Sequence, residues 1–200
     1  IQYMVSPLPG KQIILGVSPY LVEPGFLNAL VEYETAVTAM QYIGYANAGM
    51  PYMGVGRNMC FQKEIFLQKK WSTEEMQSPS GDDDLFINEV ARAKNTGVVA
   101  DPRSFMTTQP TRDLATWFRR KRRHYTTAAH YRFGHQMLLL LLPLARTAFW
   151  ALLVWFALRM QWREVAIGLG IELCILLPIT VLAMRRLQAG ALVWLAIPLE

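Results

Sequence analysis

Two long apolar runs near the end of the chain limit its possible folds more than any other feature. They cover residues 138–158 and 165–184, and each would be roughly 30 Å long as an α-helix, which matches the hydrocarbon core of a bilayer. Only the short segment 159–164 separates them. We therefore predict a helical hairpin that spans a membrane, and the apolar run at 191–199 looks like the start of a third span.

A basic cluster before the first apolar run predicts the orientation of this hairpin. The net charge is +5, and much of the excess lies in Arg112, Arg119, Arg120, Lys121, Arg122, Arg123 and Arg132. Basic segments beside a span stay in the cytoplasm and contact anionic lipid headgroups. We predict a multi-pass protein of the cell (inner) membrane whose preceding part is cytoplasmic. A nucleic-acid partner is not expected, because the cluster adjoins the membrane segment.

Each predicted span contains one ionisable side chain, Arg146 in the first and Glu172 in the second. Charges inside a membrane are costly and are usually paired. In an antiparallel hairpin the two residues differ in depth by about two helical turns at most, which a long arginine side chain can bridge. We predict an ion pair that locks the hairpin, and the alternative is a site facing a polymer channel.

The preceding part of the chain reads as a globular α/β region. Short apolar runs bounded by turn residues predict strands at 1–5, 13–17 and 98–100. Apolar side chains at helical spacing predict helices over 26–48, 82–96 and 111–131. Cys60 and Cys174 belong to no C-x-x-C pair, and Cys174 lies in an apolar run. Neither a disulfide nor a zinc site built on paired cysteines is therefore predicted.

Three consecutive aspartates, Asp82, Asp83 and Asp84, begin the helix predicted over 82–96. Aspartate stabilises a helix start by capping free N–H groups and by opposing the helix dipole. The alternative is chemical, since a fixed carboxylate can act as a general base and adjacent carboxylates raise the pKa of one member. Composition alone favours the capping interpretation.

Two further segments have a structural and a functional interpretation. Residues 54–59 read GVGRNM and lack the third glycine of a nucleotide fingerprint. They form either a tight turn or a loop that brings backbone close to a ligand, with Arg57 or Asn58 as donors. Residues 117–125 read WFRRKRRHY, which is typical of an amphipathic helix on a membrane surface. Alternatively, one or two of its arginines bind a diphosphate.

Taken in order, these segments resemble the inverting family 2 glycosyltransferases with a GT-A fold, especially the membrane-bound synthases of polysaccharides and glycolipids. The sequence GDDD at 81–84 matches the family's G-[DE]-D motif. The G-x-G-R-N segment precedes it, and an arginine-rich stretch followed by membrane helices lies at the place of the Q-x-x-R-W motif. The resemblance implies the acceptor-side half of a GT-A domain over 1–111, an interfacial helix over 112–136 and a transmembrane region over 137–200.

The resemblance also implies roles for these residues. Asp83 matches the catalytic base that deprotonates the acceptor hydroxyl, with Asp82 and Asp84 orienting or tuning it. Arg123 matches the arginine that contacts the diphosphate leaving group. Arg120 and His124 stand where the family's motif has Gln and Trp, which help hold the acceptor in processive members. The residues expected to line the acceptor or donor cleft are Gly56, Arg57 and Asn58.

The substrates that the resemblance implies are a nucleotide sugar and a glycan or lipid-linked acceptor, used in cell-envelope polysaccharide biosynthesis. It also implies a divalent metal, Mg²⁺ or Mn²⁺. The family's nucleotide-binding strands and D-x-D metal motif are expected before Ile1, in a donor half of the same protein, so this chain alone should be inactive. Turnover of a nucleotide sugar by it would contradict that expectation. The alternative is a non-catalytic membrane scaffold or assembly subunit.

Overall fold

The computed structural model describes residues 2–5, 9–71, 82–111 and 113–189. In these ranges the elements are α1 (Gln2–Val5), β1 (Ile13–Leu15), α2 (Phe26–Asn47), β2 (Met59–Phe61), α3 (Lys63–Gln68), α4 (Asp82–Val90), β3 (Thr96–Val98), α5 (Leu114–Ala128), α6 (Phe133–Leu158), α7 (Trp162–Ile171) and α8 (Leu177–Arg186). A π-helical turn, Glu172–Leu176, joins the last two helices. The apolar run predicted at 191–199 lies outside these ranges, as do Gly81 and Arg112.

A small mixed sheet organises the part before the hairpin. Its strand order is β2-β1-β3, with β1 antiparallel to β2 and parallel to β3. Side chains of a strand alternate between faces, so Ile13 and Leu15 enter the main core while Ile14 packs on the other face with Met4 and Val99. The strand predicted over 1–5 is wrong, because Gln2–Val5 is one helical turn that buries Met4 under the sheet.

Helix α2 covers the main face of the sheet and confirms the helix predicted over 26–48. Its Tyr42 is fully buried, and its hydroxyl donates to the Gly16 carbonyl at 2.6 Å. Tyr52 is buried beside it and donates to Gln41 at 3.4 Å. Buried tyrosines stabilise a core when the hydroxyl finds a partner, so these contacts fix α2 against the end of β1.

Helix α4 ends at Val90, earlier than the predicted end at 96. The Asn95 side chain ends it, because it accepts from the Arg92 N–H at 2.8 Å and donates to the Val90 carbonyl at 3.1 Å. Asparagine commonly competes for backbone groups in this way. Gly97, the residue after the predicted helix, pairs with Ile14 inside β3, so the strand lies at Thr96–Val98 rather than at 98–100.

Two helices after the sheet, Phe133–Leu158 and Trp162–Arg186, are long and apolar enough to cross a membrane. Only 11% and 6% of their most apolar windows are buried, whereas the core helix of a soluble domain would be mostly buried. The helices approach closely at Gly168, where an added Cβ would lie 2.7 Å from Leu153 Cδ2. Small residues allow such close packing between helices in membranes.

The predicted ion pair between Arg146 and Glu172 is confirmed. The guanidinium donates to both carboxylate oxygens in three contacts of 2.9 Å, and Glu172 is only 2% exposed. Glu172 begins the π-helical turn. Pro178 follows that turn, and its missing N–H prevents an α-helical bond to the Cys174 carbonyl. The wider π-helical turn therefore occurs where the regular series of α-helical hydrogen bonds is interrupted.

Candidate functional site

A cavity of about 720 Å³, here called the central cavity, lies between α2, α4, α5 and the Gly56–Asn58 turn. Small-ligand sites occupy roughly 300–1,000 Å³. The lining is polar near Asp83, Arg57 and Arg123, and apolar near Leu139 and Leu187, at the two ends of the helical hairpin. One cavity therefore connects the residues of the three predicted motifs with the base of the hairpin.

Asp83 is fixed by two backbone donors at the edge of the central cavity. Its Oδ2 accepts from the Gly56 N–H at 2.8 Å, and its Oδ1 accepts from the Asp84 N–H at 2.9 Å. A Cβ on Gly56 would lie 2.6 Å from the same Oδ2, so glycine is needed for the approach. The glycine-rich segment and the aspartate motif, far apart in sequence, form a single unit here.

The three aspartates have different surroundings. Asp82 is exposed and does not line the cavity, Asp83 is half-buried, and Asp84 is buried. The Tyr131 hydroxyl hydrogen-bonds to Asp84. Burial, and then the charge of Asp83, raises the pKa of Asp84 to about 7. Only Asp83 combines access to the cavity with an orientation fixed by neighbouring backbone.

Helix α5 places its basic residues on the cavity through contacts with α2. Asp113 caps the helix by accepting from the Thr116 N–H at 2.8 Å. One turn later, Glu34 of α2 accepts from Trp117 Nε1 at 3.0 Å and forms an ion pair with Lys121. Residues three and four apart share a helix face. The contact with Glu34 therefore turns toward the cavity the residues of α5 that were predicted to bind substrate, namely Arg120, Arg123 and His124.

The electrostatics of this helix face are asymmetric. Lys121 is neutralised by Glu34, whereas among the described residues Arg120 and Arg123 form no ion pair. Desolvation, and then the positive charge of Arg123, lowers the pKa of His124, so its imidazole is neutral at pH 7. The cavity thus receives two uncompensated guanidinium groups from α5 and a neutral ring that can donate and accept hydrogen bonds.

Arg57 and Asn58, adjacent in sequence, have different places. Arg57 is exposed and lines the cavity. Asn58 is buried and does not line it, and its Nδ2 donates to the carbonyls of Val17 at 2.6 Å and Ser104 at 2.9 Å. The asparagine side chain therefore holds the end of β1 against the Pro102–Ser104 turn.

Sequence reasoning missed three cavity-lining side chains that contact either the predicted site residues or their neighbours on α5: Tyr20, Glu34 and Tyr131. None belongs to a motif. Tyr20 carries a weak signal, because it follows Ser18 and Pro19 after a buried strand, and side chains beyond a strand end commonly form sites. The other two have partners 83 and about 47 residues away along the chain, so local patterns do not reveal them.

The described residues do not form a site for a divalent metal. Among them no group of three or more His, Cys, Asp or Glu side chains comes together. Four carboxylates line the cavity: Asp83 accepts two backbone N–H groups, Asp84 is buried against Tyr131, Glu34 pairs with Lys121, and Glu32 is buried in α2. Divalent hard cations need several oxygen ligands that converge on one point, and the described side chains provide no such group of three.

A family model described as glycosyl transferase family group 2 matches residues 3–194, which is nearly the whole chain. The chain belongs to the family 2 glycosyltransferases. The match includes both the central cavity and the helical hairpin of this glycosyltransferase, and it confirms the predicted family and a general role in glycosyl transfer. No curated protein and no solved structure matches the chain.

Replacing Gly56 of the glycosyltransferase by alanine should lower transfer by roughly 10–100-fold, because the new methyl group displaces the Asp83 carboxylate. Steady-state transfer assays on purified full-length protein that carries each substitution measure this. The matched control is Gly44→Ala in α2, where nothing lies within 4 Å of the added Cβ. That variant should keep full activity and gain up to about 1 kcal/mol of stability. Equal activities of the two variants would contradict the close contact.

The raised pKa of Asp84 predicts a pH-dependent stability. Its carboxyl binds a proton more tightly in the folded protein than in the unfolded chain, where the pKa of an aspartate is about 3.9. The contribution of this proton to the stability of the folded protein is fully present below that pKa and is lost as pH rises through about 7. Relative to Asp84→Asn, the wild type should therefore lose up to about 1.4 kcal/mol per pH unit across this range.

Thermal melting of both proteins in detergent between pH 4 and pH 8 measures this difference. The control is Gly44→Ala, which changes no titratable group, so its pH profile should be parallel to that of the wild type. Parallel profiles for Asp84→Asn as well would show that Asp84 is not the group that titrates.

Proposed function

We propose that this glycosyltransferase moves a sugar from a nucleotide sugar to a glycan or lipid-linked acceptor, with inversion, in the central cavity. One observation carries the proposal. The Asp83 carboxylate, held by the Gly56 N–H, shares this cavity with the guanidinium groups of Arg57, Arg120 and Arg123. A fixed base and several uncompensated positive charges in one cavity are what displacement of a diphosphate by a hydroxyl requires.

In the proposed reaction Asp83 accepts the proton of the acceptor hydroxyl. The hydroxyl oxygen forms a bond to the anomeric carbon as the bond from that carbon to the diphosphate oxygen breaks. The leaving diphosphate gains negative charge, which Arg123 and the neighbouring guanidinium groups stabilise. Stabilisation of developing charge is often the larger contribution to catalysis. His124 stands at the cavity as a neutral hydrogen-bonding partner for the acceptor.

The flanking regions have proposed roles too. Residues 1–111 form the acceptor-side half of a GT-A domain, 112–136 an interfacial helix, and 137–200 a membrane region with the cavity on its cytoplasmic side. The exposed Leu114 and Phe118 on α5, which do not line the cavity, support contact with a bilayer surface. Members of the family commonly use a divalent metal, and we expect its ligands outside the described residues.

The proposal is tested with the full-length protein that carries this chain, in isolated membranes. The membranes are incubated with a panel of radiolabelled nucleotide sugars, and label is counted in the lipid-extractable and polymer fractions. We expect one donor to label one fraction, in membranes with the protein and not in matched membranes without it. Absence of labelling from every donor would instead support a non-catalytic scaffold.

A further inference from the structure

Tyr20 lies at the edge of the central cavity with a rigidly held backbone. It forms a parallel β-bridge with Thr108. The N–H of Leu21 donates to the Thr108 carbonyl at 2.9 Å, and the N–H of Thr108 donates to the Pro19 carbonyl at 3.1 Å. Both neighbours of Tyr20 are therefore fixed, and its half-buried side chain has little freedom to leave the cavity.

The Tyr20 side chain contacts two arginines from different elements. Arg57, from the Gly56–Asn58 turn, places its guanidinium carbon 4.7 Å from the centre of the ring. Arg120, from α5, donates from Nη1 to the phenol oxygen at 3.4 Å. The face of the ring thus holds one cation by a cation–π contact, and the hydroxyl holds the other by a hydrogen bond to a charged group.

The two arginines lack a negative partner of their own. Lys121 on the same helix face pairs with Glu34, and Asp83 accepts the Gly56 and Asp84 N–H groups. In the part of the chain that the structure describes, no carboxylate forms an ion pair with Arg57 or Arg120. Two like charges gathered on one neutral ring repel each other, and an anionic ligand between them would remove that repulsion.

We propose that Tyr20 is a positioning residue that holds Arg57 and Arg120 as one binding site for a diphosphate group. This inference rests on the proposed function, and it adds a residue that belongs to no motif. Tyr20 acts through the two arginines and does not touch the reacting atoms. The diphosphate can come from the nucleotide leaving group or from the head of a lipid-linked acceptor, because a planar guanidinium binds the phosphate oxygens of either.

The test measures binding of inorganic diphosphate to the full-length protein in detergent by calorimetry. Tyr20→Leu should weaken binding about 10-fold, because both contacts are lost. Tyr20→Phe keeps the ring and should weaken binding only about 3-fold. The matched control is Tyr3→Leu, since Arg103 also stacks on Tyr3 at 4.7 Å but neither residue lines the cavity. This control should bind as the wild type does.

Two competition arms identify the source of the diphosphate. Displacement by a nucleoside diphosphate assigns the site to the leaving group, and displacement by a short-chain alkyl diphosphate assigns it to the acceptor. Wild-type affinity in Tyr20→Leu, equal losses in Tyr20→Leu and Tyr3→Leu, or no binding to the wild type would each overturn the inference. The measurement is equilibrium binding of diphosphate without sugar transfer, so the test remains independent of whether Asp83 is the catalytic base.

Discussion

Replacing Asp83 by asparagine should lower kcat for sugar transfer by about 1,000-fold, within the range of general-base catalysis. Asparagine has nearly the same shape and can still accept the Gly56 N–H through its amide oxygen, and it loses only the bond from the Asp84 N–H, so the cavity should keep its form. It cannot take a proton from the acceptor hydroxyl. KM for the donor should change by less than about 3-fold, because the base acts mainly in the transition state.

The control for this substitution is Asp101→Asn. Asp101 pairs with Arg103 and caps the Pro102–Ser104 turn outside the central cavity, and asparagine is an equally good cap. This variant should transfer sugar at the wild-type rate. If Asp83→Asn kept more than about a tenth of wild-type kcat, the base would have to be assigned to Asp82 or Asp84.

Removing one partner of the buried ion pair should destabilise the protein by about 3–5 kcal/mol. Glu172 is 2% exposed and accepts three hydrogen bonds from Arg146. Glu172→Leu would therefore leave a buried guanidinium uncompensated between the two helices. Loss of the pair as a whole is less costly, so the double variant Arg146→Met/Glu172→Leu should recover most of the stability.

Thermal unfolding in detergent measures these effects. The matched control is Glu164→Leu, which breaks the exposed pair with Arg163 beside the turn of the same hairpin and should cost at most about 1 kcal/mol. Equal losses for Glu164→Leu and Glu172→Leu would show that burial of the Arg146 pair adds nothing. A double variant no more stable than Glu172→Leu would show that the uncompensated charge is not the cause.

Features set by local periodicity could be predicted from the sequence. Helix α2 and the two long apolar helices follow from the spacing and length of apolar runs. The pairing of Arg146 with Glu172 follows from the cost of isolated charge in an apolar run. These features depend on contacts that are close in sequence, or on two charges for which one partner is available.

Features set by specific hydrogen bonds could not be predicted. The end of α4 depends on both polar atoms of the Asn95 side chain, and the composition of 82–96 does not show that they bind backbone. The helical turn at Gln2–Val5 depends on the burial of Met4 with Ile14 and Val99. Periodicity describes an average environment, and a single side chain can override it.

The candidate site likewise combines features that the sequence pattern predicts with features that depend on specific hydrogen bonds. The aspartate, glycine and arginine segments were selected by their order in the chain, and the fold brings Asp83, Gly56, Arg57 and Arg123 to one cavity. Asn58 shares a segment with Gly56 and Arg57, yet its side chain is buried between two backbone carbonyls. A motif indicates which segment approaches a site, and packing decides which of its side chains face the ligand.

The most direct test is the stoichiometry of released nucleoside diphosphate and transferred sugar, measured together for the full-length wild-type protein and Asp83→Asn in membranes. We predict one nucleoside diphosphate for each sugar transferred by the wild type, and the loss of both products in Asp83→Asn. Release and transfer that continue at wild-type rates in Asp83→Asn would contradict the assignment of the catalytic base to Asp83.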